Sequence, residues 1–206
     1  MSKYNRYEKS KQLLNNAKSS EAWATYRFKN YSQIEGFYPY YATRAKGANI
    51  WDVDGNKYID YMMGYGSVIL GHADDRVNNA VIEQIHNGVN LSPLWKPIHI
   101  ELTDLIKSVV PKSEMVYLMR SGSDATSGAI RLARAYTKRN KVIRWGYHGW
   151  HDWSTGVLGG VPKHIKSDIF ELKYNDIDSV KNIFQEHPNE IACVIMMPFE
   201  LDEPQD

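Results

Sequence analysis

The spacing of hydrophobic residues predicts alternating strands and helices in the second half of the chain. Residues 115–119 form a short apolar run with β character, which ends at the polar turn 121–123. Apolar residues then recur every three or four positions over 125–136, which predicts a helix with one core-facing side. Residues 141–145 form a second β-rich run. This order predicts a βαβ unit with a right-handed crossover, so both strands end at the same edge of a parallel sheet and their two loops face one pocket.

The same patterns predict further elements on both sides of this unit. Helical spacing recurs at residues 76–86, 98–109 and 177–184, and one or two more amphipathic helices are expected within residues 1–30. The Asp54-Gly55 pair between two β-rich runs predicts a hairpin. The continuous apolar run at 191–197 predicts a buried strand.

The turn before the central helix has the composition of an anion site. Ser121 and Asp124 have capping-box spacing, and Gly122 lets the backbone turn sharply. Backbone N–H groups and the positive end of the helix dipole then favour a phosphate. An ordinary capped turn without a ligand has the same composition, so the tripeptide alone does not decide between them. The loop 146–152 would add aromatic faces and imidazoles to the pocket, although such a loop can also be purely structural.

Three blocks resemble the class III aminotransferases, and within them the glutamate-1-semialdehyde 2,1-aminomutase-like branch. They are Ser-Gly-Ser-Asp-Ala-Thr at 121–126, Ala-Ile-Arg-Leu-Ala-Arg-Ala-Tyr-Thr at 129–137 and Tyr-His-Gly-Trp-His-Asp at 147–152. Their order and separation match as well as their content. The resemblance implies an α/β fold, the fold-type I architecture of pyridoxal-phosphate (PLP) enzymes. Residues 1–60 would form an N-terminal helical arm and hairpin segment, and residues 61–206 the first part of the large domain with its mostly parallel sheet.

The resemblance also implies a cofactor, PLP, and the residues that bind it. Those residues are Ser121, Gly122, Ser123, Tyr147 and His148. The N–H groups of the turn and the Ser123 hydroxyl would hold the phosphate, and Tyr147 would lie against the ring. The lysine that forms a Schiff base with the cofactor is expected beyond Asp206, so no catalytic residue is predicted within this chain. The chain is therefore expected to be an N-terminal portion of an enzyme, inactive by itself.

Two reactions are consistent with this resemblance. The aminomutases carry a Gly-Gly-Val-Asn-Ser-Pro-Val-Arg segment near the N-terminus, and residues 33–44 lack it. We therefore favour an aminotransferase acting on another amino or keto compound, such as a sugar or a modified amino acid. An aminomutase and a non-catalytic remnant or binding partner are the alternatives. A nicotinamide-binding domain is disfavoured because Ser-Gly-Ser lacks the Gly-x-Gly-x-x-Gly pattern.

Composition limits the classes of partner that we expect for this chain. The chain has 43% hydrophobic residues, 24% charged residues and a net charge of +1, and this balance does not indicate binding to nucleic acid. No apolar run has the length of a membrane span, the N-terminus has no signal-like core, and the single cysteine, Cys193, rules out an internal disulfide framework. A cytoplasmic protein with small-molecule partners is expected. The resemblance implies a homodimer, in which the loop at 88–97 reaches the neighbouring active site.

Several local motifs leave their roles open. Met197-Pro198 stands where the family usually has Glu-Pro, so either the surroundings have changed or Glu200 supplies the carboxylate. His72 is expected to be a turn residue rather than a base. Asp52 and Asp54 do not have the spacing of a calcium-binding EF-hand.

Overall fold

The structure, a computed structural model, describes residues 6–20, 41–156 and 159–198. The chain divides into two compact units between Lys96 and Pro97. The domain boundary predicted at residue 60 remains a prediction. The first unit contains α1 (Glu8–Ala17), β1 (Ala42–Lys46), β2 (Asn49–Asp52), β3 (Lys57–Ile59) and α2 (Asp75–His86). The second contains α3 (Pro97–Val109), α4 (Gly122–Thr137), β4 (Lys141–Trp145), α5 (Lys163–Lys166), β5 (Ile169–Glu171), α6 (Ile177–Glu186) and β6 (Ile191–Met196).

The first unit is built around an antiparallel sheet in the order β1-β2-β3. Its β2–β3 hairpin turns at Asp54-Gly55, where Gly55 has φ +88°, so the predicted hairpin is confirmed. The turn also caps α1, because the Asp54 carboxylate accepts the Lys9 N–H at 2.7 Å and the Ser10 N–H at 3.0 Å. A carboxylate on those N–H groups satisfies donors that the helix itself leaves open.

A buried carboxylate organises the hairpin from inside. Asp52 is 1% exposed and accepts hydrogen bonds from the Asn56 amide and the Tyr58 hydroxyl, at 2.9 and 2.8 Å. Burial acts to raise the pKa of Asp52, but these hydrogen bonds outweigh it and leave the pKa below its usual value. For Tyr58, burial and the hydrogen bond to Asp52 both raise the pKa of the phenol. Asp52 is therefore a structural anion.

His72 also has a structural role. Its Nε2 lies 2.6 Å from Asp60 Oδ2, and its backbone forms an isolated antiparallel bridge with Gly47. The hydrogen bond with His72 holds the pKa of Asp60 below its usual value. The residue thus joins two stretches of the first unit, in keeping with its expected place in a turn.

The second unit contains a parallel sheet in the order β5-β4-β6. The central strand β4 contributes Val142 and Ile143, which are both fully buried. Two clusters pack on these residues: Ile130 of α4 and Trp153 join Val142, whereas Leu172 and Ile191 join Ile143. Neighbouring side chains of a strand point to opposite faces, so β4 is covered on both faces, as a parallel sheet requires.

One predicted strand is absent from this sheet. Residues 115–119 are not a strand, and Met115 and Tyr117 are 90% and 81% exposed. A strand exists only where a neighbour completes its hydrogen-bond ladder, and no described residue pairs with this run. The predicted unit of 115–119, α4 and β4 is therefore wrong for the part of the chain that is described. The parallel neighbours of β4 are β6, which was predicted, and the three-residue β5, which was not.

The apolar sides of helices α2 and α3 are uncovered. Neither α2 nor α3 has a buried residue among those described. The exposed apolar residues on them include Val77, Val81, Ile82, Ile85, Ile98, Ile100, Leu102, Leu105 and Val109. Amphipathic spacing predicted both helices correctly, but their apolar sides remain exposed among the described residues. No helix in the described ranges has the length and apolar character needed to cross a membrane.

Candidate cofactor site

The site begins at the N-terminus of α4, where Ser121 is the cap. The Ser121 hydroxyl accepts the Asp124 N–H at 3.2 Å and donates to Asp124 Oδ2 at 2.7 Å. The predicted spacing of the two residues is thus realised, although the Asp124 carboxylate meets the hydroxyl rather than the cap's own N–H. The side chain of Ser121 is therefore occupied by the cap. Ser121 can serve a ligand only by fixing the conformation of the turn.

The next two residues, Gly122 and Ser123, present their backbone N–H groups at the start of the helix. Within the described ranges, the N–H groups of Gly122 and Ser123 donate to no acceptor. A Cβ built on Gly122 would meet nothing within 4 Å, so the space beside this turn is open. The φ of Gly122 lies outside the left-handed region, so the sharp turn expected of this glycine is not the reason it suits the site. The open space is a better reason, because it lets a ligand approach the backbone closely.

The loop after β4 lies directly against this turn. A Cβ built on Gly149 would lie 2.9 Å from the Ser123 Cα, and the Trp150 N–H donates to Ser123 Oγ at 3.3 Å. The Thr126 hydroxyl donates to the His148 carbonyl at 2.8 Å. The expectation that the two loops come together is therefore met, although residues 115–119 form no strand.

Tyr147 and His148 have different surroundings within this loop. Tyr147 is 69% exposed, so its ring is available to a ligand. His148 is 7% exposed, its Nδ1 lies 3.0 Å from the Gly146 carbonyl, and its ring is tilted against Trp153 with centroids 6.1 Å apart. The imidazole of His148 is thus directed into the packed part of the loop. Its predicted contact with the cofactor remains a prediction, as do those of Ser121, Gly122, Ser123 and Tyr147.

Met197 supports the start of the same loop. The Tyr147 N–H donates to Met197 Sδ at 3.3 Å, and a Cβ at Gly146 would lie 3.0 Å from the Met197 Cγ. Gly146 has φ +89°, so a glycine is favoured there by both conformation and space. Met197 therefore contacts the start of this loop through its thioether. Glu200, the other candidate for that carboxylate, lies outside the described residues.

Cations hold the far side of the loop. Arg144 forms an ion pair with Glu171 at 2.6 Å and donates to the Ser154 carbonyl. Lys166 donates to the Thr155 carbonyl at 2.6 Å. Burial, followed by the nearby charge of Arg144, lowers the pKa of Lys166. These groups face backbone oxygens and carboxylates, and no cluster that could hold a metal ion exists among the described residues.

Two further residues of the site, Ser127 and Trp153, were not predicted from the sequence. Ser127 meets His151, one of the imidazoles expected of the loop 146–152, and Trp153 meets Ser127. Ser127 Oγ lies 2.7 Å from His151 Nδ1 and accepts the Trp153 indole N–H at 2.8 Å. One signal was present, because Ser127 follows Ser123 by one helical turn and so lies on the same side of α4. A serine at that spacing is a candidate contact for any loop that packs on the turn.

The architecture and these motifs agree with comparisons to known proteins. The model of the aminotransferase class-III family matches residues 31–200. The chain belongs to the class III aminotransferases. The predicted family is thereby confirmed.

Individual relatives place the chain within this family. It is 42% identical over 168 residues to a 3-aminobutyryl-CoA aminotransferase of Cloacimonas acidaminovorans (strain Evry), covering 82% of this chain and 41% of that protein. It is 40% identical over 176 residues to a glutamate-1-semialdehyde 2,1-aminomutase of Wigglesworthia glossinidia brevipalpis, covering 78% of this chain and 40% of that protein. The chain thus spans about two-fifths of the length of these relatives.

Solved structures confirm the fold. The FumI protein of Sphingopyxis sp. MTA144, solved in a form containing PLP, superposes with a TM-score of 0.86 at 30% identity, over 93% of this chain and 46% of that one. An omega-transaminase of Sphaerobacter thermophilus superposes with a TM-score of 0.81 at 30% identity, over 92% of this chain and 47% of that one. The predicted α/β, fold-type I class is therefore confirmed for this portion of the fold.

Proposed function

We propose that the protein to which this chain belongs is a PLP-dependent aminotransferase, which moves an amino group from a small-molecule donor to a carbonyl acceptor. The observation that carries the proposal is the start of α4. In the part of the chain that the structure describes, the N–H groups of Gly122 and Ser123 meet no acceptor and border an open space. A loop with an exposed tyrosine packs against the same turn. Membership of the class III family supports this assignment.

The residues present fit the cofactor. The N–H groups of Gly122 and Ser123 and the positive end of the 16-residue helix would hold its phosphate. The ring of Tyr147 is exposed and available to pack on its pyridine ring. When bound, PLP supplies an electron sink for the carbon that carries the amino group. The contribution of this chain is binding and orientation, and the lysine that moves the proton is expected outside it.

An aminomutase of the glutamate-1-semialdehyde type is the second candidate, because relatives at about 40% identity carry that name. The absence of the aminomutase segment from residues 33–44 favours the aminotransferase. For substrates we infer an amino or keto compound other than glutamate semialdehyde, such as a sugar or a modified amino acid. A non-catalytic binding partner is the third alternative, since no catalytic lysine is predicted in this chain.

We also propose a homodimer in the cytoplasm. The uncovered apolar residues of α2 and α3 support an assembly larger than this chain, because large exposed apolar patches mark surfaces that meet other parts of a protein. A single cysteine, whose thiol has a pKa raised by burial, is consistent with a reducing compartment.

An isotope experiment separates the three candidates. The protein expressed from its complete reading frame is incubated with PLP, an ¹⁵N-labelled amino compound and a keto acid, and the products are analysed by mass spectrometry. An aminotransferase places the label on the added acceptor. An aminomutase leaves the label on a rearranged skeleton and needs no acceptor. Absence of label movement across a broad donor panel would contradict both activities and support the binding partner.

A further inference from the structure

Ser127, His151 and Trp153 form a connected cluster beside the candidate phosphate site. Ser127 lies one turn into α4, whereas His151 and Trp153 belong to the loop after β4. Two hydrogen bonds join them, Ser127 to His151 Nδ1 at 2.7 Å and Trp153 Nε1 to Ser127 at 2.8 Å. We call Ser127, His151 and Trp153 the hinge-side cluster, because it fastens the loop to the helix.

Donor and acceptor chemistry fixes one of the two hydrogen bonds of the hinge-side cluster. An indole N–H can only donate, so the Ser127 oxygen is the acceptor from Trp153. The hydrogen bond between Ser127 and His151 then runs in one of two senses: the Ser127 hydroxyl donates to an unprotonated Nδ1, or a protonated Nδ1 donates to the second lone pair of the Ser127 oxygen. His151 Nε2 faces Asp124 Oδ1 at 3.8 Å, which is beyond hydrogen-bond distance. Both senses fasten the loop to the helix.

The cluster connects directly to the cap of α4. Asp124, which faces His151, also accepts the Ser121 hydroxyl at 2.7 Å. A continuous series of polar contacts thus runs from the loop to the turn whose N–H groups face the open space. The same loop carries Tyr147, two residues before Gly149, whose backbone lies against Ser123.

We propose that Ser127, His151 and Trp153 are positioning residues for the cofactor site. They fix the loop that carries Tyr147 against the phosphate-binding turn. The distance between the N–H groups of the turn and the aromatic ring of Tyr147 therefore stays constant. This inference rests on the proposed function, because it assumes that the turn holds the phosphate of PLP. We assign these three residues no contact with the reacting atoms or with the cofactor phosphate. They act only through the loop and the turn.

Substitutions at His151 test the proposal. The side chain of His151 is 31% exposed, so its truncation is compatible with folding. The protein expressed from its complete reading frame is prepared as wild type, His151→Ala, His151→Asn and Ser127→Ala. The amide of asparagine offers Ser127 both a donor and an acceptor, whereas alanine offers neither. The matched control is His164→Ala, because His164 is an exposed histidine of the same unit outside the cluster.

The readouts are the Kd for PLP and the visible circular dichroism of the bound cofactor at saturation. We expect His151→Ala and Ser127→Ala to bind PLP about tenfold or more weakly, the loss expected for a hydrogen bond of this kind. Their dichroism should shrink, because the cofactor's surroundings become less fixed. His151→Asn should bind within about threefold of wild type, and His164→Ala should match wild type in both readouts.

The outcomes separate this inference from the proposed function. A wild-type protein that binds no PLP overturns the proposed function. A wild-type protein that binds PLP, with His151→Ala equal to it in Kd and dichroism, overturns the positioning role alone. Equal losses in His151→Ala and His151→Asn also overturn it, because the hydrogen bond would then not be the cause. If Ser127→Ala does not fold, the comparison of the two His151 variants still decides.

Discussion

Replacing Gly149 by alanine should release the loop from the helix. Gly149 has φ +104°, and a Cβ there would lie 2.8 Å from the Ser123 Cβ and 2.9 Å from the Ser123 Cα. A side chain in such a backbone conformation costs about 1–3 kcal/mol. Overlap with a packed neighbour adds about 1–3 kcal/mol, because the Ser123 backbone cannot move without moving the helix start. Together these two costs oppose loop docking by about 2–6 kcal/mol.

Hydrogen exchange measures this release where it occurs. In the docked loop the N–H groups of Ser154 and Thr155 both donate to the His151 carbonyl at 2.8 Å. In Gly149→Ala these amides should exchange at least about thirtyfold faster, since 2 kcal/mol corresponds to that factor. The matched control is Gly156→Ala, because a Cβ there meets nothing within 4 Å and its φ lies outside the left-handed region. Equal exchange in the two variants would refute the close approach of the loop to Ser123.

Three further predictions concern other parts of the chain. Asp54→Ala should destabilise the docking of α1 by about 1 kcal/mol, because two capped N–H groups lose their acceptor, and hydrogen exchange in α1 should rise; unchanged exchange would argue against the cap. Because burial raises the pKa of Cys193, iodoacetamide at neutral pH should alkylate it more slowly in the folded protein than in urea, and equal rates would contradict its burial. Asp52 has a depressed pKa, so its contribution to stability is present above its ordinary value of 3.8 and is lost as pH falls through the folded value. An acid titration should therefore show wild type losing stability more steeply than Asp52→Asn, and parallel curves would count against the buried anion.

Local signals in the sequence predicted those parts of the molecule whose partners are near in the chain. The Asp54-Gly55 turn and the Ser121–Asp124 cap each depend on residues within a few positions, and both are present. The helices at Asp75–His86 and Pro97–Val109 follow from periodicity alone. Such features need no knowledge of the remaining fold.

The parts that were missed depend on distant partners. Residues 115–119 have the composition of a strand, but strand formation also requires a neighbour, which the described residues do not supply. The hinge-side cluster joins residues 24 and 26 positions apart, and neither periodicity nor a motif shows which serine meets which imidazole. The open space beside Gly122 is likewise a property of the packed turn, which the sequence does not reveal. The role predicted for this glycine was therefore a sharp backbone turn rather than room for a ligand.

The central claim is that the start of α4 and the loop after β4 belong to a PLP site. The most direct measurement is the absorbance spectrum of the purified protein, expressed from its complete reading frame with PLP, before and after treatment with borohydride. We predict a yellow protein whose visible absorbance disappears on reduction, with the cofactor mass then retained covalently on a lysine after denaturation. A colourless protein that takes up no PLP would contradict it.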